Sequence, residues 1–156
     1  MAQHIFKQGF MDLLRTGNYS DMVLVTPTKK FKVHRIILAF SSDFFETLLR
    51  SEFKESLDNV VELQLEDPRN VFPDIIKYMY SGKLEITLDR VVAYIALSDA
   101  YLVNKLNLMC KEFVAKNLKR STALQLLVDA IELNQQEIVE QCLKVVASNF
   151  LHMQDV

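Results

Sequence analysis

The sequence is poor in the residues on which several functional classes depend. Its 156 residues include three glycines, three prolines, two cysteines and no tryptophan. With so few glycines, no glycine-rich phosphate-binding loop can be written, which excludes the usual nucleotide-binding motifs. The two cysteines, Cys110 and Cys142, lie in apolar-periodic stretches without a CxxC pair or a neighbouring histidine. We therefore expect them to pack in the core and not to bind a metal ion.

Charge and hydropathy exclude further classes. Lysine and arginine number 18 against 20 acidic residues, a net charge of −2, whereas nucleic-acid-binding domains usually concentrate basic charge on one face. The basic cluster of Lys29, Lys30 and Lys32 is too small for such a face and is interpreted as a solvated turn. The longest apolar run, Val91–Leu97, and the five-residue run Ile36–Phe40 are both far below the roughly 20 residues that cross a bilayer. The first residues lack the layout of a secretion signal. We expect a cytoplasmic or nuclear protein, with neither nucleic acid nor membrane among its partners.

Hydrophobic periodicity predicts a helix-rich α+β fold with a small, mostly three-stranded sheet and a C-terminal helical hairpin. Strands are predicted at residues 22–25, 31–33, 60–65 and 83–86, and helices at 5–15, 36–40, 43–50, 68–81, 89–100, 104–117 and 121–151, the last range being the hairpin. The register that pairs Val25 with Lys30 would place Asp21 opposite His34. In the first helix of the hairpin, the side chains predicted to face inward are Leu124, Leu127, Val128 and Ile131.

The order of these elements and four short motifs resemble a BTB (POZ) domain. The motifs are Tyr19–Val25, Phe31–Leu38, Ser41–Phe45 and Tyr78–Gly82. The resemblance covers residues 5–118. Residues 121–151 resemble the two-helix extension, the start of a BACK-like region, that follows the BTB domain in Kelch-like adaptors of cullin-RING ubiquitin ligases. The resemblance implies a BTB fold that homodimerises by packing its first helix across a two-fold axis.

The amphipathic first helix also favours self-association on physical grounds. Its apolar stripe consists of Ile5, Phe6, Phe10, Leu13 and Leu14. Such a stripe has no evident place in a small core, and a two-fold interface would bury it in both subunits. A helix folded back on its own chain is the alternative. The resemblance adds Asp21 as a buried acid of the dimer region, paired with Arg35, since a buried carboxylate requires a partner.

The resemblance places the cullin-binding site at Phe53-Lys54-Glu55, where cullin-binding relatives carry a hydrophobic residue, any residue and then an acid. An exposed aromatic ring can fill a pocket on the partner while the nearby carboxylate accepts a directed hydrogen bond. Asp99 and Tyr101 match positions where relatives often meet the cullin. For Tyr101, a place in the core is an equal alternative.

The predicted function is that of a non-enzymatic adaptor. It would bind itself, the N-terminal domain of a cullin-3-type cullin and, through a region not present here, a substrate protein. A BTB scaffold that recruits another partner, such as a transcriptional corepressor, stays open. An enzyme would need Asp21 and His34 as orienter and base with Ser20 as nucleophile, but no oxyanion-hole loop accompanies them. His4, His34 and His152 are scattered, so no metal or other cofactor is predicted.

Overall fold

The structure, a computed structural model, describes residues 2–50 and 59–152, with side chains over 9–50 and 59–148. Within these ranges the chain forms eight helices and three strands, and it divides into two compact units. The first unit holds the residues up to Leu84 together with Tyr101–Asn104, and the second holds Glu85–Ala100 and the residues from Lys105 onward. The observed elements confirm the predicted α+β class.

The sheet of the first unit follows the predicted register. Its strands are β1 (Met22–Val25), β2 (Lys30–Val33) and β3 (Val60–Glu62), in the order β2-β1-β3. β1 pairs antiparallel with β2, with Val25 opposite Lys30, and parallel with β3. The connecting turn is held by Thr26, whose hydroxyl accepts the Lys29 N–H at 3.0 Å and donates to the Lys29 carbonyl at 2.9 Å. The sheet thus leaves β2 as an edge strand among the described residues.

Four helices belong to the first unit. They are α1 (Ala2–Thr16), α2 (Arg35–Ser41), α3 (Asp43–Arg50) and α4 (Phe72–Ser81). α4 contacts both α1 and α2, and α2 contacts α3. The core between these helices and the sheet is apolar and fully buried, with Leu24, Val33, Leu38, Phe45, Phe72 and Ile75 at its centre.

The ends of α4 show how local chemistry sets a helix boundary. The prediction that this helix begins at Pro68 was wrong by four residues, because the Asp67 carboxylate accepts the N–H groups of Val71 and Phe72, both at 2.8 Å. These bonds satisfy donors that a helix N-terminus leaves without an intrahelical partner. Gly82, with φ of 66°, ends the helix in the left-handed conformation, which glycine adopts without strain.

The second unit is helical. Its elements are α5 (Val91–Ala100), the body of α6 (Asn104–Asn117), α7 (Arg120–Glu132) and α8 (Gln136–His152). α7 packs on α8 as the predicted hairpin, and α5 contacts α7. An ion pair of 2.6 Å between Lys111 and Glu137 joins α6 to α8. The buried side chains of this unit include Leu106, Cys110, Leu126, Ile138 and Cys142.

Two predictions of local structure were wrong. Residues 83–86 form no strand in the described chain, because a strand needs a neighbouring backbone, and the Lys83 N–H is instead bonded to the Ser81 hydroxyl at 3.1 Å. β3 ends at Glu62 and not at residue 65, although the Leu63 N–H still donates to the Val25 carbonyl at 2.8 Å.

The inward face of α7 was also predicted wrongly. Three of the four residues assigned to the core are exposed, with exposed fractions of 67% for Leu124, 55% for Val128 and 59% for Ile131. The helix instead buries Ala123, Leu126 and Ala130. Apolar residues lie on both faces of α7, and the small alanines conceal which face is inward. We call the three exposed residues Leu124, Val128 and Ile131 the α7 stripe.

Candidate functional site

The first helix exposes part of the stripe predicted for the dimer interface. Phe10 is 43% exposed, and Leu13 and Leu14 are half-buried, while the helix as a whole contacts α4. The side chains of Ile5 and Phe6 lie outside the described ones. α1 is therefore neither folded fully into its own unit nor free of it, and Phe10 is available to a second molecule.

The helix α2 presents a second apolar face, which the sequence analysis did not assign to an interface. Ile36 is 78% exposed and Phe40 is 89% exposed, and their spacing of four residues places them on one side of the helix. Leu38, between them in sequence, is fully buried. The signal was the five-residue apolar run itself, because a helix as short as α2 cannot bury its whole circumference.

The structure brings Asp21 and Arg35 together. The main-chain N–H of Arg35 donates to Asp21 Oδ1 at 2.8 Å, and Arg35 Nε donates to the main-chain oxygen of Asp21 at 3.5 Å. Arg35 Nη2 also donates to Asn59 Oδ1 at 3.4 Å. Asp21 is exposed in the single chain. The predicted burial of this carboxylate would require a second chain and stays a prediction.

His34 is buried and fully engaged by other groups. Nε2 lies 2.8 Å from the Asn18 carbonyl, which only accepts, so this nitrogen carries a proton. Nδ1 lies 2.8 Å from the Tyr80 hydroxyl oxygen. The same oxygen accepts a second bond, from the main-chain N–H of His34, at 2.9 Å. Burial raises the pKa of Tyr80 to about 12, so the hydroxyl stays protonated. Asp21 takes no part in these bonds, and the orienter–base pair that an enzyme would need is not formed.

Tyr101 lies in the core of the first unit. Its ring stacks on Phe45 with centroids 6.1 Å apart, and it meets Phe44 edge-on at 5.2 Å and Phe72 at 5.5 Å. Its main-chain carbonyl accepts the Ser42 hydroxyl at 2.6 Å. Burial raises the pKa of Tyr101. These contacts give the ring a packing role, while its contact with a cullin stays a prediction.

Among the other residues predicted to bind a cullin, Asp99 is the one that the structure describes. Asp99 is exposed near the end of α5. Phe53, Lys54 and Glu55 lie outside the described residues. The predicted site around them stays a prediction.

Two properties of the described residues bear on other classes of function. No group of three or more histidine, cysteine, aspartate or glutamate side chains in the described ranges could hold a metal ion. Among the described helices, none has the length and apolar character required to span a bilayer.

Comparison with known families decides the fold family. The sequence matches the family profile of the BTB/POZ domain over residues 10–118. The chain belongs to the BTB/POZ family. This confirms the resemblance read from the four motifs, and it makes the BTB chain a protein-interaction domain.

Curated relatives of the BTB chain are Kelch-like proteins. It is 30% identical to Kelch-like protein 40 of Xenopus laevis over 122 residues, which cover 78% of this chain and 20% of that protein. It is 28% identical to Kelch repeat and BTB domain-containing protein 4 of Mus musculus over 121 residues, which cover 77% of this chain and 22% of that protein. The matched part spans about a fifth of the length of these relatives.

A solved structure supports the fold assignment. The BTB domain of zebrafish PATZ1 is similar to this chain with a TM-score of 0.63 at 20% identity, covering 75% of this chain and 96% of that one. The likeness confirms the predicted BTB fold of helices around a small sheet.

Proposed function

We propose that the BTB chain homodimerises and acts as an adaptor in the cytosol or nucleus. It would link a cullin-3-type cullin to substrates of a cullin-RING ubiquitin ligase, while catalysing no reaction itself. BTB domains generally self-associate, and Kelch-like BTB proteins bind cullin-3, so the family supports both parts of the proposal. A substrate would be recruited through a region outside this sequence.

The observation that carries the cullin-binding part is the α7 stripe. Leu124, Val128 and Ile131 follow one another at spacings of four and three residues, so they lie along one side of α7. Their exposure leaves a continuous apolar face in water, which is typical of a protein-docking surface. α7 lies beyond residue 118, where the BTB profile ends, in the segment that resembles the cullin-binding extension.

We propose that Phe53, Lys54 and Glu55 form the second part of the cullin contact. The Phe53 ring would act as the apolar anchor and the Glu55 carboxylate as a hydrogen-bond acceptor, while Lys54 sits at the unrestricted position. Asp99, exposed near the end of α5, and the neighbourhood of Tyr101 would add polar contacts. Residues 121–151, with the α7 stripe, would supply the apolar groove.

The dimer part of the proposal is supported by the exposed apolar side chains of the first unit. Phe10 of α1 and Ile36 and Phe40 of α2 are all open to solvent in the single chain. Covering them against a second copy would remove large apolar side chains from water, each worth about 1.5–3 kcal/mol when fully buried. We assign these residues to the two-fold interface, with Ile5, Phe6, Leu13, Leu14 and the Asp21–Arg35 pair beside them.

Calorimetric titration of the cullin-3 N-terminal domain tests the adaptor. Replacing Phe53 by alanine should weaken the affinity per protomer by about 1–3 kcal/mol, because it removes an interface anchor. Glu55→Gln should weaken it less. Phe40→Ala, which removes an exposed ring from α2, is the matched control and should leave this affinity unchanged. Equal affinities of the wild type and Phe53→Ala would move the site elsewhere, and the absence of any binding would favour a BTB scaffold that recruits a different partner.

Light scattering tests the dimer separately. The wild-type protein should have twice the chain mass of 18.1 kDa at micromolar concentration. Phe40→Glu and Phe10→Glu should shift the mass toward the monomer, because each would place a charge in an apolar interface. Phe53→Glu is the control and should remain dimeric. A wild-type monomer would contradict the dimer part of the proposal, whereas the cullin-binding part would still be decided by the calorimetric titration.

A further inference from the structure

We propose that a basic groove on the first unit binds an acidic peptide segment of a partner protein. The groove has a volume of about 470 Å³ and lies between the C-terminal end of α1, the β1–β2 turn with β2, and the first two turns of α4. Five cationic side chains line it, namely Arg15, Lys29, Lys30, Lys32 and Lys77. The sequence shows three of these lysines as a small cluster, and the fold adds the other two cations from distant segments.

The groove holds an excess of positive charge that the described residues neutralise only in part. Among the described residues, Lys30 and Lys32 have no carboxylate within ion-pair distance, and Lys29 lies over the Phe31 ring at 5.3 Å from its centroid. Arg15 pairs with the exposed Asp12 at 3.4 Å, and Lys77 pairs with the half-buried Asp74 at 3.5 Å. Five cations therefore face two acids, on a chain whose net charge is −2. Such a concentration attracts an anionic partner and raises its association rate.

A simpler explanation covers only part of this arrangement. Lysines on an edge strand such as β2 protect it against pairing with other strands, which would account for Lys30 and Lys32. It does not account for Arg15 on α1 and Lys77 on α4, because neither belongs to the strand. Three separate elements supply charge to one groove, and this convergence is the feature that points to a ligand.

The floor of the groove selects a peptide with an apolar side chain among its acids. Leu14, Phe31 and Pro73 line it beside the cations and are each half-buried. Lys29 lies over one face of the Phe31 ring, and Phe72 meets the ring in a T-shaped contact at 5.9 Å, so the ring is less open to stacking by a nucleic-acid base. The walls are also held in place. The turn that carries Lys29 is closed by the two Thr26 bonds, and the stem of Lys32 packs so closely on Gly17 that an added Cβ there would lie 3.0 Å from Lys32 Cδ.

The residues given for the lining of the groove differ from those of the proposed cullin contact that the structure describes. None of the described lining residues belongs to the α7 stripe, and Asp99 and Tyr101 are not among them. Leu14 is the residue that it shares with the set assigned to the dimer interface. An acidic segment bound here would therefore be a further partner of the adaptor, and the inference stands whether or not a cullin binds.

Fluorescence anisotropy with a labelled synthetic peptide tests the groove. The probe has twelve residues, alternating aspartate and glutamate around one central leucine, and the matched probe carries asparagine and glutamine at the acidic positions. We expect saturable binding of the acidic probe, weakening as salt rises from 50 to 300 mM, and no saturation with the neutral probe. The double variant Lys32→Glu/Lys77→Glu should bind at least tenfold more weakly. The control Lys83→Glu/Lys116→Glu makes the same change in net charge on exposed lysines outside the groove and should stay within threefold of the wild type.

Two further measurements distinguish peptide binding in the groove from effects of the substitutions on stability or dimerisation. In amide NMR spectra of the wild-type protein, the acidic probe should shift the signals of residues 15–17, 29–32 and 76–77, a readout that does not depend on the stability of any variant. Light scattering of the double variant should give the wild-type mass, which keeps dimerisation apart from peptide binding. Equal losses in both double variants, or shifts confined to other residues, would overturn the proposal. Displacement of the peptide by a lower concentration of single-stranded polyuridylate would assign the groove to nucleic acid instead.

Discussion

Gly17 ends α1 at a position where two constraints meet. Its φ is 71°, in the left-handed region, and a Cβ on this residue would lie 3.0 Å from the Cδ of Lys32. The left-handed conformation costs a residue with a Cβ roughly 1–2 kcal/mol. The contact with Lys32 adds to this cost, although the flexible lysine stem can yield. A glycine is therefore required here for both the turn and the close approach of β2.

We predict that Gly17→Ala lowers the free energy of unfolding by more than the roughly 1–2 kcal/mol of the backbone penalty alone. Gly82→Ala is the matched control, because Gly82 has a similar φ of 66° but no atom within 4 Å of the added Cβ. It should show the backbone penalty without the contact. Gly9→Ala, in the open surface of α1, should instead stabilise the protein by up to about 1 kcal/mol. Urea unfolding at one protein concentration measures all three, and a neutral Gly17→Ala would contradict the argument.

At the scale of the element, α7 shows how a helix with apolar residues on two faces hides its orientation. Leu124 and Leu126 are both leucines, two residues apart, yet the first is 67% exposed and the second is fully buried. Two side chains that are two positions apart on a helix are separated by about 200° around the helix axis, so they point to nearly opposite sides. Replacing each leucine by alanine therefore makes the same chemical change on the two opposite faces of the helix.

We expect Leu126→Ala to lower the free energy of unfolding by about 2–5 kcal/mol, because it leaves a cavity in the second unit. Leu124→Ala should change it by less than about 0.5 kcal/mol, as exposed substitutions usually do. In the calorimetric titration the order should reverse, with Leu124→Ala weakening the cullin interaction. Chemical unfolding of the isolated protein checks the first pair of values. Equal destabilisation by the two variants would indicate that Leu124 faces the core, as the periodicity of the sequence predicts.

Three elements show which features of the fold could be predicted from the sequence and which could not. The pairing of Val25 with Lys30 was predictable, because alternation of side chains and a four-residue turn containing Pro27 determine a hairpin register locally. The orientation of α7 was not, because Ala123 and Ala130 carry too little hydrophobic signal to outweigh Leu124 and Val128. Residues 83–86 have the composition of a strand, but a strand depends on a neighbour that the local sequence does not describe.

Some of the candidate sites could likewise be predicted from the sequence, whereas others could not. The BTB motifs predicted the fold family and drew attention to Asp21 and Arg35, which the structure places in contact. The exposure of Ile36 and Phe40 could be inferred only in part, from the shortness of their helix. The basic groove could not be inferred at all, because Arg15 and Lys77 meet the lysines of the hairpin only through the packing of α1 and α4. Sites that depend on distant segments become visible when tertiary structure is known.

For the whole molecule, buried titratable groups in both units predict a loss of stability at alkaline pH. Burial raises the pKa of Tyr80 in the first unit to about 12, from 10.0, and the pKa of Cys110 in the second unit to about 12, from 9.0. It also raises the pKa values of Tyr101 and Cys142. In each case the neutral form is favoured in the folded state, and the unfolded chain releases its proton at a lower pH. The stability that these groups contribute is therefore complete below about pH 9 and is lost as the pH rises toward 12.

Urea unfolding at pH 7, 9, 10 and 11 should show a free energy of unfolding that falls with a slope of up to about 1.4 kcal/mol per pH unit for each buried group. Cys110→Ala removes one such group, so its slope between pH 9 and 11 should be shallower than that of the wild type. Any packing loss from the substitution shifts the curve at every pH, and subtracting the value at pH 7 removes it. Tyr80→Phe should have a smaller effect over this interval, because an unfolded tyrosine ionises about one unit higher than a thiol. Parallel curves for the wild type and Cys110→Ala would show that the thiol already ionises in the folded protein, against the complete burial of its side chain.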